Sequence, residues 1–114
     1  MTGARLPAQL EVSGLVRSVN AEGGFATVLA KGEPDSGTIM VVTSCNAKDY
    51  RLYERMPQAD GARRWECVRR ADDDHEGTLA AFLERRRQQD PDLWIVELDI
   101  AQGERFIGLP PTTS

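Results

Sequence analysis

The chain of 114 residues has few of the residues that metal sites, disulfide scaffolds and membrane spans require. Its two cysteines, Cys45 and Cys67, and its one histidine, His75, fall short of the about four ligands of a structural zinc site. Two cysteines are also too few for a disulfide scaffold, so we expect both thiols to be reduced. No segment has the roughly 20 apolar residues of a membrane helix, and no apolar signal core follows the first residues. These absences favour a cytoplasmic protein with no metal, no cofactor and no membrane contact.

Lysine is nearly absent from the basic residues. Of the 14 Lys and Arg residues 12 are arginine, and the 18 Asp and Glu residues give a formal net charge of −4. Arginine binds carboxylates and phosphates through paired hydrogen bonds and lysine does not, but a GC-rich genome has the same effect on composition. With 40% hydrophobic residues the chain is typical of one folded domain, which we place at residues 1–108, followed by a frayed C-terminal tail at 109–114.

The hydrophobic pattern predicts seven elements in the order α-β-β-β-β-α-β. Helices are expected at residues 6–22 and 76–89, and strands at 25–31, 38–45, 50–56, 63–70 and 93–100. Four consecutive strands joined by short loops are typical of an antiparallel meander, and the last strand, which opens with four apolar residues, is expected to be interior or parallel. We therefore predict an α+β domain with one mainly antiparallel five-stranded sheet. Both helices are expected on one face, over Trp94, Val96 and residues 39–42.

Several motifs that suggest chemistry have simpler explanations. The acidic run at residues 72–76 stands where the second helix is predicted to begin, so its carboxylates are expected to cap that helix rather than to bind a metal. The three arginines at residues 85–87 lie near the end of the same helix, where cations are favoured. Residues 32–38 have the glycine spacing of a phosphate-binding loop but lack its lysine, and no Gly-x-Ser-x-Gly nucleophile motif occurs. No catalytic residues are therefore assigned.

The strongest candidate for a binding site is a basic concentration at residues 51–70, where six arginines and three acidic residues give a local charge of +3. Its candidate binding residues are Arg51, Tyr53, Arg55, Arg63, Arg64, Trp65, Glu66 and Arg69. Arginines interleaved with aromatic residues hold single-stranded RNA in some sheet proteins, through phosphate contacts and base stacking. The same residue types are enriched at protein interfaces. A solvated sheet face with cross-strand Arg–Glu pairs has this composition as well.

Carboxylates near arginines offer a third interpretation, a small enzyme. The candidates are Glu54, Glu66, Asp92, Glu97 and Asp99. Glu66 and Glu97, if they lie on neighbouring strands, would face one cleft and act as an acid–base pair. Strand alternation also places such residues on a solvent-facing side without any catalytic role.

Six segments occur in one order along the chain, at residues 5–8, 22–26, 32–37, 52–58, 65–66 and 90–94. The most specific are Glu-Arg-Met-Pro-Gln at 54–58 and Asp-Pro-Asp-Leu-Trp at 90–94. In this combination nearly the whole chain resembles an alphaproteobacterial family of proteins of unknown function, domain of unknown function 1491. The resemblance implies a stand-alone bacterial protein of this size, and it supplies no activity, substrate or site residue.

The sequence therefore favours a small cytoplasmic non-enzymatic binding or interaction domain. Its partner is another protein or a second copy of the chain, so a homodimer is one form of this hypothesis. The first alternative is RNA or single-stranded nucleic-acid binding through Arg51, Arg55, Arg63, Arg64 and Arg69. The second alternative is an enzyme that uses carboxylate and arginine chemistry.

Overall fold

The protein is described from a computed structural model, which covers residues 6–109. Its helices are α1 (Ala8–Ala21) and α2 (Thr78–Gln89), and its strands are β1 (Phe25–Ala30), β2 (Ile39–Cys45), β3 (Lys48–Pro57), β4 (Arg63–Ala71) and β5 (Trp94–Asp99). A short 3-10 helix, η1 (Gly103–Ile107), follows β5 and was not predicted. The predicted order α-β-β-β-β-α-β is confirmed. Of the predicted tail, residues 110–114 lie outside the described residues, as do residues 1–5 of the predicted domain.

The five strands form one sheet in the order β1-β5-β2-β3-β4. The pairs β1–β5, β2–β3 and β3–β4 are antiparallel, and β2 and β5 are parallel, with Ile39 opposite Trp94 and Ser44 opposite Asp99. A mainly antiparallel sheet with an interior, partly parallel last strand is thus confirmed. The predicted meander holds for β2, β3 and β4 only, because β5 inserts between β1 and β2 after the chain returns through α2.

The two helices cover opposite faces of the sheet, so the prediction that both pack on one face is wrong. Val12 and Val19 of α1 share a core with Ile39 and Val96, on what we call the α1 face. Leu79 of α2 shares a second core with residues such as Met40 and Ile95, on the α2 face. Successive strand residues point to opposite faces, so the continuous apolar runs of β2 and β5 require a cover on each side.

The acidic run before α2 caps that helix, as predicted. The carboxylate of Asp74 accepts hydrogen bonds from the backbone amides of Leu79 at 2.7 Å and Ala80 at 3.1 Å. These amides belong to the first turn of α2, where backbone N–H groups have no carbonyl acceptors within the helix. Residues 6–109 contain no group of three or more His, Cys, Asp or Glu side chains arranged to hold a metal ion.

The segment that resembles a phosphate-binding loop is a turn held against the start of β5. The indole Nε1 of Trp94 donates a hydrogen bond to the carbonyl oxygen of Glu33 at 2.8 Å, and the backbone amide of Glu33 donates to the carbonyl oxygen of Asp92 at 3.0 Å. Gly32 and Gly37 both lie so close to Asp92 that a side chain would collide with its carbonyl oxygen. This docking joins two of the segments on which the family resemblance rests.

Candidate functional site

The predicted arginine and aromatic cluster does not form one surface, because the register of β3 and β4 divides it between the two faces. Cross-strand pairs such as Arg51 with Arg70 and Arg55 with Trp65 lie on the α1 face, whereas Leu52 with Arg69 lies on the α2 face. The members of the predicted site on the α1 face are Arg51, Tyr53, Arg55, Arg63 and Trp65, and those on the α2 face are Arg64, Glu66 and Arg69.

Arg55 is a structural residue that joins α1 to the sheet. Its guanidinium donates to both carboxylate oxygens of Glu11, with Nη1–Oε2 and Nη2–Oε1 distances of 2.9 and 3.1 Å. The same guanidinium stacks over the ring of Trp65, 4.8 Å from its centroid. Only 18% of the Arg55 side chain is exposed. The group is therefore committed to contacts within the protein.

Arg51 and Tyr53 are also withdrawn from the surface. Tyr53 is only 3% exposed, and burial raises the pKa of its hydroxyl. The Nε of Arg51 lies 3.4 Å from Oδ1 of Asp49. The ring of Tyr53 is buried and Arg55 covers one face of the Trp65 ring, so the cluster does not offer two free aromatic rings on which successive bases stack.

A polar cleft lies beside Arg51, at the end where β2 and β5 finish. It is lined by residues including Asp49, Gln102 and the buried Glu104, and its volume is about 100 Å³. Ligand pockets for organic molecules are usually larger, about 300 Å³ or more. The cleft therefore accommodates a few water molecules rather than a substrate.

Four arginines of β4 remain at the surface, and we call them the arginine edge. They are Arg63, Arg64, Arg69 and Arg70, all of which are exposed. Arg64 lies 4.0 Å from the carboxylate of Asp60, and the guanidinium of Arg69 lies over the ring of Phe82, 4.5 Å from its centroid. Because β4 is the last strand of the sheet, these side chains flank a row of backbone groups that no strand of the described chain pairs with.

The acidic candidates do not form a catalytic pair. Glu66 lies on β4 and Glu97 on β5, and β2 and β3 separate them, so they are three strand spacings of about 4.8 Å apart. The hypothesis that they face one cleft from neighbouring strands is therefore wrong. Each has another partner, since Gln58 Nε2 donates to Glu66 at 3.2 Å and the Ser44 hydroxyl donates to Glu97 at 3.1 Å.

Two more of the acidic candidates have structural partners. The guanidinium of Arg86 on α2 donates to Glu54 at 2.5 Å, which ties that helix to β3. The carboxylate of Asp99 accepts the backbone amide of Asn46 at 2.8 Å, in the turn between β2 and β3. Asp92 contributes its carbonyl oxygen to the turn that contains Glu33.

The opposite edge of the sheet, β1, was missed by sequence reasoning. Phe25 is 73% exposed and Val28 is 41% exposed, and no charged residue occurs between Phe25 and Ala30. Val28 lies on the α1 face, where it opens onto a groove of about 520 Å³ between α1 and β1. We call this the β1 groove. Its lining is Gln9, Val12, Ser13, Val16, Arg17, Val28, Lys31 and Trp94.

The sequence contains one signal for this surface. It is the uncharged, mostly apolar run of β1, which follows two glycines. The signal was ambiguous because the same run is typical of a strand buried on both sides. Only the strand order, which places β1 at the edge, makes its apolar residues a surface feature.

Comparison with known proteins places the chain among structures of one family. A family model described as a protein of unknown function, DUF1491, matches residues 6–108. The crystal structure of a DUF1491 family protein from Caulobacter crescentus CB15 is 32% identical, with a TM-score of 0.79 over 93% of this chain and 98% of that one. An NMR structure of a DUF1491 family protein from the same organism is 31% identical, with a TM-score of 0.78 over 97% and 100% of the two chains.

The solution structure of protein Atu0922 from A. tumefaciens is also similar. It is 38% identical, and its TM-score is 0.67 over 85% of this chain and 87% of that one. No curated protein matches the chain. None of the helices within residues 6–109 is long and apolar enough to cross a membrane.

Proposed function

The chain belongs to the DUF1491 family, and we propose that it is a small, non-enzymatic, cytoplasmic interaction domain that forms a homodimer through β1. In the dimer, β1 of each copy pairs antiparallel with β1 of the other, and the β1 grooves of the two copies meet. Such a contact is isologous, since the same surface is used by both copies.

The observation that carries this proposal is the difference between the two edges of the sheet. Proteins protect edge strands against pairing with charged side chains and bulges. β4 has four exposed arginines and one bulge, so two copies of it repel each other. β1 also has a bulge, but it has no charge and exposes Phe25, Val28 and Leu29. This edge is therefore the one suited to pairing with a second copy of the chain.

Charge supports the antiparallel arrangement. Lys31 follows the last residue of β1, and Glu22 lies three residues before its first residue. An antiparallel pair therefore brings Lys31 of each copy towards Glu22 of the other. Lys31 forms no ion pair within the described chain, whereas Glu22 accepts a hydrogen bond from Arg105 at 2.7 Å and is still half exposed.

A dimer through β1 also needs surface beyond the strand itself. A specific interface buries about 800 Å² per partner, which a six-residue strand does not provide alone. Pairing of β1 places the flanks of the two α1 helices side by side. The partly buried Val16 of each copy then faces the partner across the β1 groove.

The geometry supports nucleic-acid binding and catalysis less well. Proteins hold single-stranded nucleic acids by stacking successive bases on aromatic rings, whereas here Tyr53 is buried and Arg55 covers one face of Trp65. Four of the five candidate carboxylates, those of Glu54, Glu66, Glu97 and Asp99, bind separate partners. The cytoplasm is supported by Cys45 and Cys67, which are both exposed and unpaired with each other, as is usual in a reducing compartment.

Sedimentation velocity over a wide range of protein concentration tests the proposal. We expect the wild-type chain to be a dimer and Val28→Lys to be a monomer, because the lysine places a charge inside the paired surface. Val68→Lys is the matched control, since Val68 lies on the other edge strand and is equally exposed, at 42% against 41%.

We expect Val68→Lys to remain a dimer, and circular dichroism verifies that both variants are folded. Phe25→Lys is a second probe of the same edge. A wild-type protein that is monomeric at every concentration contradicts the proposal, as does a dimer that Val28→Lys and Phe25→Lys leave intact.

A further inference from the structure

We propose that the arginine edge binds an extended acidic segment of a partner protein, which adds to the sheet as a strand beside β4. This surface is separate from the one used in the proposed dimer. β1 and β4 lie at opposite ends of the strand order, with three strands between them. In a dimer paired through β1, each copy therefore keeps its β4 free.

The first reason is the length and openness of β4. It has nine residues, Arg63–Ala71, and pairs with β3 on one side only. Its outer backbone N–H and C=O groups are available for a further strand, which is how extended peptides bind at sheet edges. A strand of this length spans about 30 Å.

The second reason is the placement of charge along the strand. Arg63 and Arg64 begin β4, and Arg69 and Arg70 lie near its end. Because successive residues point to opposite faces, each end of the strand presents one arginine on the α1 face and one on the α2 face. Within β4 only Glu66 opposes these four positive charges.

The centre of β4 has a different chemistry. Cys67 and Val68 are exposed and uncharged. A complementary segment therefore has carboxylates at both ends and small apolar or β-branched residues between them. Arginine suits the ends because its guanidinium binds a carboxylate through two parallel hydrogen bonds.

The α2 side of this surface has one more exposed cation. Arg85 lies one turn of helix after Phe82, whose ring supports the guanidinium of Arg69. Residues three apart share a helix flank, so Arg85 lies on the flank of α2 that faces β4. It forms no ion pair within residues 6–109 and adds a positive charge on the α2 side of β4.

A peptide strand fits these observations better than a nucleic acid. Both ligands satisfy the arginines, but only a peptide uses the unpaired backbone groups between them. The arginines that keep a second copy of β4 away by repulsion therefore select a strand of opposite charge.

The test is an NMR titration of the isotope-labelled protein with a synthetic nine-residue peptide, blocked at both termini. The peptide has glutamates at both ends and valine and threonine at its centre. We expect shifts in the amide resonances of β4 and slower amide hydrogen exchange along its outer edge. A peptide with glutamine in place of each glutamate is the matched ligand control, and we expect it to bind at least about tenfold more weakly.

The protein variants locate the site. We expect the double substitution Arg64→Gln and Arg69→Gln to weaken binding of the acidic peptide by about tenfold. Arg87→Gln, which removes an exposed arginine of α2 that pairs with Glu84, is expected to leave the affinity unchanged. The Val28→Lys variant is expected to bind the peptide like the wild type, so failure of the dimer and failure of this proposal are distinguishable.

Four results overturn the proposal. One is equal binding of the acidic and glutamine peptides, and another is amide protection at β1 instead of β4. The third is tighter binding of a single-stranded oligonucleotide without slower exchange in β4, which assigns the arginines to phosphate. Absence of peptide binding at low salt, where charge attraction is strongest, also overturns it.

Discussion

Arg55 and Glu11 form a two-pronged salt bridge between β3 and α1, with Nη1–Oε2 and Nη2–Oε1 distances of 2.9 and 3.1 Å. Both side chains are mostly withdrawn from solvent. The bridge makes the centre of the predicted binding cluster a structural contact, and the ring of Trp65 stacks against the same guanidinium. Arg55, which the sequence predicted to bind a ligand, thus holds α1 against the sheet.

This pair predicts a measurable loss of stability when one partner is removed. We expect Glu11→Gln to lower the free energy of unfolding by about 1–2 kcal/mol, because it leaves the mostly buried guanidinium of Arg55 without its counter-charge. Urea unfolding followed by tryptophan fluorescence measures the change. Glu84→Gln is the control, since it breaks an exposed pair with Arg87 on α2 and is expected to cost less than about 0.5 kcal/mol. Equal effects of the two substitutions would contradict the structural role.

The sequence predicted the elements well because their signals are local. The helical spacing of apolar residues in α1 and the turn glycines before β1 depend on near neighbours. The faces covered by the helices were predicted wrongly, although the four apolar residues at 39–42 already indicated burial on both sides. An expectation of one helix on each face was therefore within reach.

The site was less predictable because it depends on contacts between distant residues. Glu11 and Arg55 are 44 positions apart, and nothing in the sequence indicates that α1 crosses the sheet above β3. The bulge opposite Leu52 and Tyr53 sets which β4 residues lie on each face. Likewise, the exposure of β1 follows from strand order, which hydrophobic periodicity does not encode.

The close approach of Gly32 to Asp92 predicts that a single methyl group disrupts the turn before β2. A Cβ at position 32 lies only 2.1 Å from the Asp92 carbonyl oxygen, which is backbone and has little room to move. We expect Gly32→Ala to lower the free energy of unfolding by about 2 kcal/mol or more. Gly14→Ala is the control, since a Cβ there meets nothing within 4 Å and the helical position favours alanine by about 0.5–1 kcal/mol. The two urea unfolding midpoints should move in opposite directions, and a shared direction would refute the steric explanation.

The cap of α2 predicts different roles for neighbouring aspartates. Asp74 accepts two backbone amides of the first helical turn, whereas the Asp72 side chain forms no hydrogen bond within the described residues. We expect Asp74→Ala to lower the free energy of unfolding by about 1–2 kcal/mol and Asp72→Ala to change it by less than about 0.5 kcal/mol. Thermal unfolding monitored by far-ultraviolet circular dichroism compares them. If both substitutions changed the free energy of unfolding equally, the assignment of the cap to Asp74 would be wrong.

The turn around Glu33 predicts a contribution to stability that depends on pH. Oε1 of Glu33 accepts the backbone amide of Ser36 at 2.6 Å, its hydroxyl at 2.9 Å and the amide of Asp35 at 3.0 Å. These bonds lower the pKa of Glu33 below its ordinary value of 4.5, and the bond from the Ser36 backbone amide has the largest effect. The folded state favours the charged form of Glu33. Its contribution to stability is therefore complete above the pKa that Glu33 has in the unfolded chain, and it is lost as the pH falls through the pKa of the folded state.

Two variants and two measurements test this dependence. Glu33→Gln removes the titrating group, so we expect its unfolding free energy to fall less on acidification than that of the wild type. Ser36→Ala removes the hydroxyl but keeps the amide, so the pKa of Glu33 should rise only part of the way to its ordinary value. Urea unfolding at a series of pH values gives the first result, and NMR titration of the Glu33 side-chain carboxyl gives the second. An unchanged Glu33 pKa in Ser36→Ala would show that the hydroxyl does not stabilise the carboxylate.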